Sequence, residues 1–227
     1  MQAQARTAPR HAASLEEIAT QLLGSLRRGE PTRSVALLGL ALELRRRPVR
    51  AAWHPTGFVV LPLLHDDRGA LRLHLWPAGE RNLGQPCWPV HDHVWRLRSW
   101  VLCGTVHSHG YEVRDDPEGE AMLYAVHYGG QRRSCMHRSE RRVRVLAATS
   151  RRVEAGHRYT VEAGAFHASR VEAGDFAATL VATERTDRAH PWVVGPGDGP
   201  DRVEVVRARA DEDAVHGMLG RLLCASS

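Results

Sequence analysis

The sequence predicts a mainly β protein, an antiparallel sandwich or barrel with N-terminal helices and one C-terminal helix. Three observations carry this reading. Between Ser14 and Arg46 the apolar residues recur at helical spacing. From about Phe58 to Thr183 the chain changes to short runs of alternating polarity set between turn residues, and no helix-length pattern interrupts them as a βαβ sheet would require. After Asp211 a single apolar stripe at helical spacing returns. The expected organisation is residues 1–48 as an N-terminal helical segment, 49–206 as the β domain and 207–227 as a C-terminal helix.

The first helix is marked by Leu15, Ile18, Leu22 and Leu26, with Ser14 and Glu17 as a capping box and with Gly29 and Pro31 as the stop. A second, from Ser34 to Arg46, has a nearly all-round apolar middle and three arginines near its C-terminal end, which suit the helix dipole. Strands are expected at Phe58–Leu64, Ala70–Trp76, Trp95–Cys103, Thr105–Val113, Met122–Tyr128, Val143–Ala148, Arg158–Val161 and Phe176–Thr183. Turn signals separate them, such as Asp66-Asp67-Arg68-Gly69 and Gly129-Gly130. The arginine-rich stretch Gln131 to Arg142 around Cys135 is expected as a solvated loop, and the Gly- and Pro-rich stretch Pro191 to Pro200 as a linker. Val203–Val206 then gives one more strand, and Asp211 caps a helix whose stripe is Val215, Met218, Leu219, Leu222 and Leu223.

Composition narrows the function classes. With 43% hydrophobic and 25% charged residues over 227 positions, the chain lies within the range of ordinary globular domains. The longest nearly apolar stretch, Val35 to Leu42, is far short of the roughly 20 residues of a bilayer-spanning helix. Met1 to Ser14 is polar and lacks the apolar core of a secretory signal, so a cytoplasmic location is expected. The net charge of +5 comes wholly from arginine, because the chain has no lysine. Acidic residues are interleaved with the arginines, so nucleic acid is not an expected partner. Cys87, Cys103, Cys135 and Cys224 form no Cys-x-x-Cys pair and are expected as free thiols.

Spacing singles out a few of the fourteen histidines. His91-Asp92-His93 puts two imidazoles on one face of a strand, where both grip one metal ion from one side. His167, which follows the Gly164 turn, is the candidate third ligand. The parity of His91 and His93 continues through Trp95, Leu97, Ser99, Val101 and Cys103, the expected pocket wall. Arg72, His74 and Trp76 alternate with Leu71, Leu73 and Leu75, and with the first set inward Arg72 would clamp a carboxylate bidentately. Tyr159, on the approach to His167, is a candidate donor of a proton or a hydrogen bond. His107 and His109 form a second His-x-His that would line the pocket, replace a ligand or lie outside.

The pattern His91-x-His93 with Gly104 eleven residues on resembles the first signature of the cupin superfamily, G-x5-H-x-H-x(3,4)-E-x6-G. Gly156, Gly164 and His167 are similarly spaced to the second, G-x5-P-x-G-x2-H-x3-N. The family's glutamate falls on Leu97, its proline on Glu162 and its asparagine on Val171, while the first glycine is displaced by one, to Gly84. The resemblance covers about residues 58 to 184 and implies a cupin-like antiparallel β-barrel, or jelly roll. It implies metal ligands His91, His93 and His167 without a carboxylate, an arrangement similar to that of thiol dioxygenases, including cysteine dioxygenases. The implied metal is Fe(II), with Zn, Ni and Cu chemically allowed. The implied partners are O2, a small amino-acid-like or thiol substrate and a second copy of the chain in a homodimer. No cysteine stands four or five residues after His93, where some members of that branch carry a cross-linking one. Rival readings are a metal-dependent isomerase, cyclase or lyase without redox chemistry, and a ligand-binding module.

Overall fold

The computed structural model describes residues 13–30, 34–130 and 132–225. The expectations for the polar N-terminus before Ala13, and for Pro31 and Gln131, lie outside the described residues.

Among the described residues three helices form where the apolar periodicity places them: α1 (Leu15–Arg28), α2 (Ser34–Arg45) and α3 (Glu212–Ala225). The capping box of α1 is complete: the Glu17 backbone N–H donates to Ser14 Oγ at 3.3 Å, and the Ser14 N–H donates to Glu17 Oε2 at 2.7 Å. Gly29 ends that helix at a φ of 71°, the left-handed conformation that glycine adopts without steric cost. Asp211 caps α3 by accepting from the Ala214 N–H at 2.8 Å. Among the described residues no helix is long and apolar enough to cross a membrane.

The strands are β1 (Ala52–Trp53), β2 (Val59–Asp66), β3 (Gly69–Trp76), β4 (Trp95–Cys103), β5 (Thr105–Asp115), β6 (Ala121–Tyr128), β7 (Arg133–Glu154), β8 (Arg158–Val161), β9 (Phe166–Arg170), β10 (Ala177–Arg185), β11 (Trp192–Pro196) and β12 (Arg202–Val206). They make two antiparallel sheets, ordered β1-β2-β3-β10-β4-β8 and β11-β6-β7-β5-β9, with β12 also paired to β7. The fold is therefore mainly β, an antiparallel two-sheet sandwich with N-terminal helices and one C-terminal helix.

Two expected irregular segments are strands. Gln131 to Arg142 is not a solvated loop: from Arg133 on it is the first half of β7, a 22-residue strand. That half is flanked by β6 on one edge and β12 on the other, so its backbone is paired; Arg133 and Arg141 are exposed, while Arg138 and Arg142 are half-buried and donate to the carbonyls of Gly197, Gly199 and Gly119. Pro191 to Pro200 is not a linker either, because Trp192–Pro196 pairs with β6 as β11.

The first sheet buries opposite faces for opposite purposes. Leu71, Leu73 and Leu75 of β3 and Leu180 of β10 are fully buried in one core with Leu22 and Leu26 of α1, Leu40 of α2 and Leu219 of α3. The helices thus cover its outer face. Its inner face carries Arg72, His74, Leu97 and Ser99, and these line a cavity of about 920 Å³ between the two sheets. Cys103 departs from the expected inner face and joins the helix-side core. A register shift between Ala178 and Thr179 accommodates one extra residue on β4, and such a bulge reverses the parity of the residues beyond it.

Candidate metal centre

His91, His93 and His167 come together on the cavity wall, each offering a ligand atom within 4.8 Å of the others. They are not on one regular strand. His91 forms isolated bridges to His167 and Val193, and β4 begins only at Trp95. The His91 and His167 backbones exchange hydrogen bonds of 3.1 and 2.8 Å, while the Asp92 N–H donates to Trp192 O and the Val194 N–H to Val90 O, both at 2.9 Å. Residues 90–92 therefore join β9 to β11, the two edges of the second sheet. One ligand's backbone fixes another's, so the spacing of the imidazoles is set by the sheet itself.

Asp92, between the two histidines, has a side chain with no solvent exposure. It accepts from the Trp192 N–H at 2.5 Å and from Arg188 Nη2 at 2.9 Å. Burial pushes its carboxyl up, opposed by the Trp192 N–H and by the Arg188 charge. Gly164, at a φ of 79°, donates its N–H to His93 O at 2.9 Å. A turn with positive φ here is what carries the chain back toward β9 and His167.

The ring hydrogen bonds suit metal ligation. Nδ1 of His91 lies 2.8 Å from Pro89 O, and Nδ1 of His167 lies 3.2 Å from Ala165 O. A carbonyl only accepts, so both Nδ1 atoms carry the proton and both Nε2 lone pairs remain for a metal. His93 stacks on Trp95 at 5.4 Å between ring centroids, and its buried Nδ1 has no hydrogen-bond partner among the described residues. Burial lowers the pKa of all three, that of His167 to about 3, with neighbouring imidazoles adding to it at His93 and His167. The rings are consequently neutral at pH 7, the state in which imidazole ligates. Leu97, where the cupin pattern has glutamate, lines the same cavity and offers no ligand atom.

Other candidates sort by face. Arg72 points into the cavity, with its guanidinium carbon 5.1 Å from the Trp95 ring centroid. Tyr159 also lines the cavity, in register with Ser99 across β4 and β8, and burial raises its phenol pKa. His107 and His109 are not among the cavity-lining residues; His107 stands 3.9 Å from Glu172. Spacing did not reveal His54, whose ring centroid is 5.8 Å from that of His91. It sits beyond β1 in a turn where its Nδ1 meets Thr56 Oγ1 at 2.8 Å, and only the long-range fold brings it to the site. Burial, then the His91 ring, drive its pKa well down.

No protein-family model matches this chain, and neither does any curated protein sequence. Among solved structures, hydroxypropylphosphonic acid epoxidase from S. wedmorenis aligns over 77% of this chain and 100% of its own, at 14% identity and a TM-score of 0.35. A likeness of that size bears on neither substrate nor reaction.

Proposed function

We propose that this protein is a non-heme metal enzyme that binds iron(II) through His91, His93 and His167 and oxidises a small amino-acid-like or thiol molecule with O2. The observation that carries the reading is the convergence of three neutral imidazoles, with no carboxylate among them in the described residues, on the wall of the cavity between the sheets. A ferrous ion held by one face of imidazoles supplies open adjacent coordination positions and electrons for O2 chemistry. The chain's own residues do the rest. Trp95 and Trp76 wall the cavity against water, Arg72 orients the substrate, and Tyr159 holds a proton within the cavity at neutral pH. A thiol that takes up both oxygen atoms leaves as a sulfinate and one released proton, which balances without another reductant.

Elemental analysis of protein purified under low oxygen tests this, alongside His91→Ala, His93→Ala and His167→Ala. Near-stoichiometric iron in the wild type, lost in each variant together with O2 uptake, is the expected result. A variant that keeps full metal overturns its ligand assignment, and turnover unchanged under strict anaerobiosis overturns the oxygenase.

A further inference from the structure

The outer face of the second sheet gathers another set of side chains that ligate metals. On the first half of β7, Ser134 and Met136 line the cavity, so Cys135 and His137, which alternate with them, leave the opposite face. β6 and β12 hold their partners in register on either side. His127 stands directly across from Cys135 on β6, Glu204 stands across from it on β12, and Arg202 stands across from His137. Cross-strand neighbours of this kind share a face, with Cβ atoms about 4.5–5.5 Å apart. His127, His137 and Glu204 are exposed and Cys135 is half-buried, and none of the four lines the cavity between the sheets.

Side-chain contacts link the cluster further. Sγ of Cys135 lies 3.3 Å from Nε2 of His137. A tetrahedral zinc ion, with Zn–S of about 2.3 Å and Zn–N of about 2.0–2.1 Å, holds a thiolate and an imidazole about 3.5 Å apart, so these two are already placed as a chelating pair. The His127 ring meets the His137 ring edge-on at 5.3 Å between centroids. No hydrogen bond among the described residues holds that exposed ring, so a turn about its own side-chain torsions brings it to the pair with the backbone left in place. Nε of Arg202 donates to the Cys135 sulfur at 3.1 Å, and its Nη2 donates to Glu204 at 2.6 Å. A thiolate has lone pairs for a metal and a donor together, and a hydrogen bond of this kind orients a ligand.

We propose that Cys135, His137 and His127 form a second metal site, for zinc(II) or a divalent cation of similar borderline character, with Glu204 or a water as the fourth ligand. One sulfur and two imidazole nitrogens make a donor set for zinc and not for magnesium or calcium, which take oxygen ligands. The site is independent of the catalytic reading and differs from the three-imidazole centre in having sulfur. Its ligands come from β6 and β7, whose inward residues Val126 and Met136 line the cavity. An ion bound here ties those two strands together from outside and stiffens the cavity wall.

Titration of the reduced, full-length protein with cobalt(II) tests the proposal, because only a thiolate ligand gives the sulfur-to-cobalt charge-transfer band in the near ultraviolet. The wild type is expected to develop that band to saturation at one cobalt per chain, and Cys135→Ser to lack it. His137→Ala and His127→Ala are each expected to weaken the cobalt that gives the band by at least about tenfold. His93→Ala is expected to keep it in full, which separates this site from the three-histidine centre. Zinc(II) added afterwards is expected to bleach the band as it displaces cobalt. No band in the wild type, an equal band in Cys135→Ser, unchanged affinity in either of the His127 and His137 variants, or loss of the band in His93→Ala overturns the proposal, and a band that zinc leaves untouched overturns the choice of metal.

Discussion

Asp92→Ala removes a side chain that is not one of the three candidate ligands and yet positions two of them. Two interactions go. The Trp192 N–H, which donates to Asp92 at 2.5 Å, is stranded in a buried place at a cost of about 1–3 kcal/mol. The Arg188 link contributes about 0–1 kcal/mol, since that guanidinium is 41% exposed and water replaces its partner. Together the loss is about 1–4 kcal/mol, and at about 2–4 °C per kcal/mol for a chain of this size it lowers Tm by roughly 2–16 °C. Asp92→Asn keeps an acceptor for Trp192 and is expected to lose about half as much. Urea unfolding of chelator-treated protein measures the stability change apart from any metal, and iron content after anaerobic purification measures the site. Because residues 90–92 join β9 to β11 through their backbones, both readouts are expected to fall together. Asp92→Ala within about 0.5 kcal/mol of wild type, with full iron, would refute the positioning role.

Gly164→Ala puts a Cβ at a φ of 79° and 2.5 Å from Arg188 Nη1; it is expected to cost about 1–2 kcal/mol and to be less than additive with Asp92→Ala in urea unfolding, since Arg188 serves both. Leu219→Ala empties a fully buried position under the first sheet, with an expected loss of about 2–5 kcal/mol and unchanged iron per chain. Asp66 is held well below the usual carboxylate range by the paired hydrogen bonds from Arg27 at 2.7 and 2.9 Å. A depressed folded pKa gives stability that is present above the unfolded pKa of about 3.9 and is lost as pH falls through the folded value. The Asp66 side chain is 35% exposed, so screening limits the contribution to about 1 kcal/mol. Urea midpoints compared at pH 7 and pH 3 should therefore differ less in Asp66→Asn than in wild type, and an equal difference would show that the pair is inert.

What the sequence disclosed depended on how local the cause was. The capping box at Ser14, the alternation on β3 and the stripe of α3 are written within one element, and each forms as expected. The three histidines were legible because their spacing marks two short chain segments, although the geometry that joins them comes from backbone bridges and not from one strand. The first half of β7 was hidden because its many arginines have the texture of a loop; only β6 and β12, brought from elsewhere, identify it as a central strand. Trp192–Pro196 was hidden by neighbouring glycines and prolines for the same reason. Cys103 was misplaced by a single bulge, and His54 gave no signal at all, because a residue that meets the site through tertiary folding alone has no spacing to detect.

On β3, successive residues answer to different demands. Leu71, Leu73 and Leu75 hold the helices, while Arg72, His74 and Trp76 face the cavity. Mutation at Arg72 or His74 leaves the anchoring contacts of the first set in place, whereas Trp76 is buried in a second apolar cluster with Phe58 and Val101, so the cavity face tolerates exchange of one ligand for another away from Trp76. A library that randomises Arg72, Leu97 and Ser99 would explore new substrates on an intact frame, whereas the same diversity moved one residue along the strand would mostly yield unfolded chains.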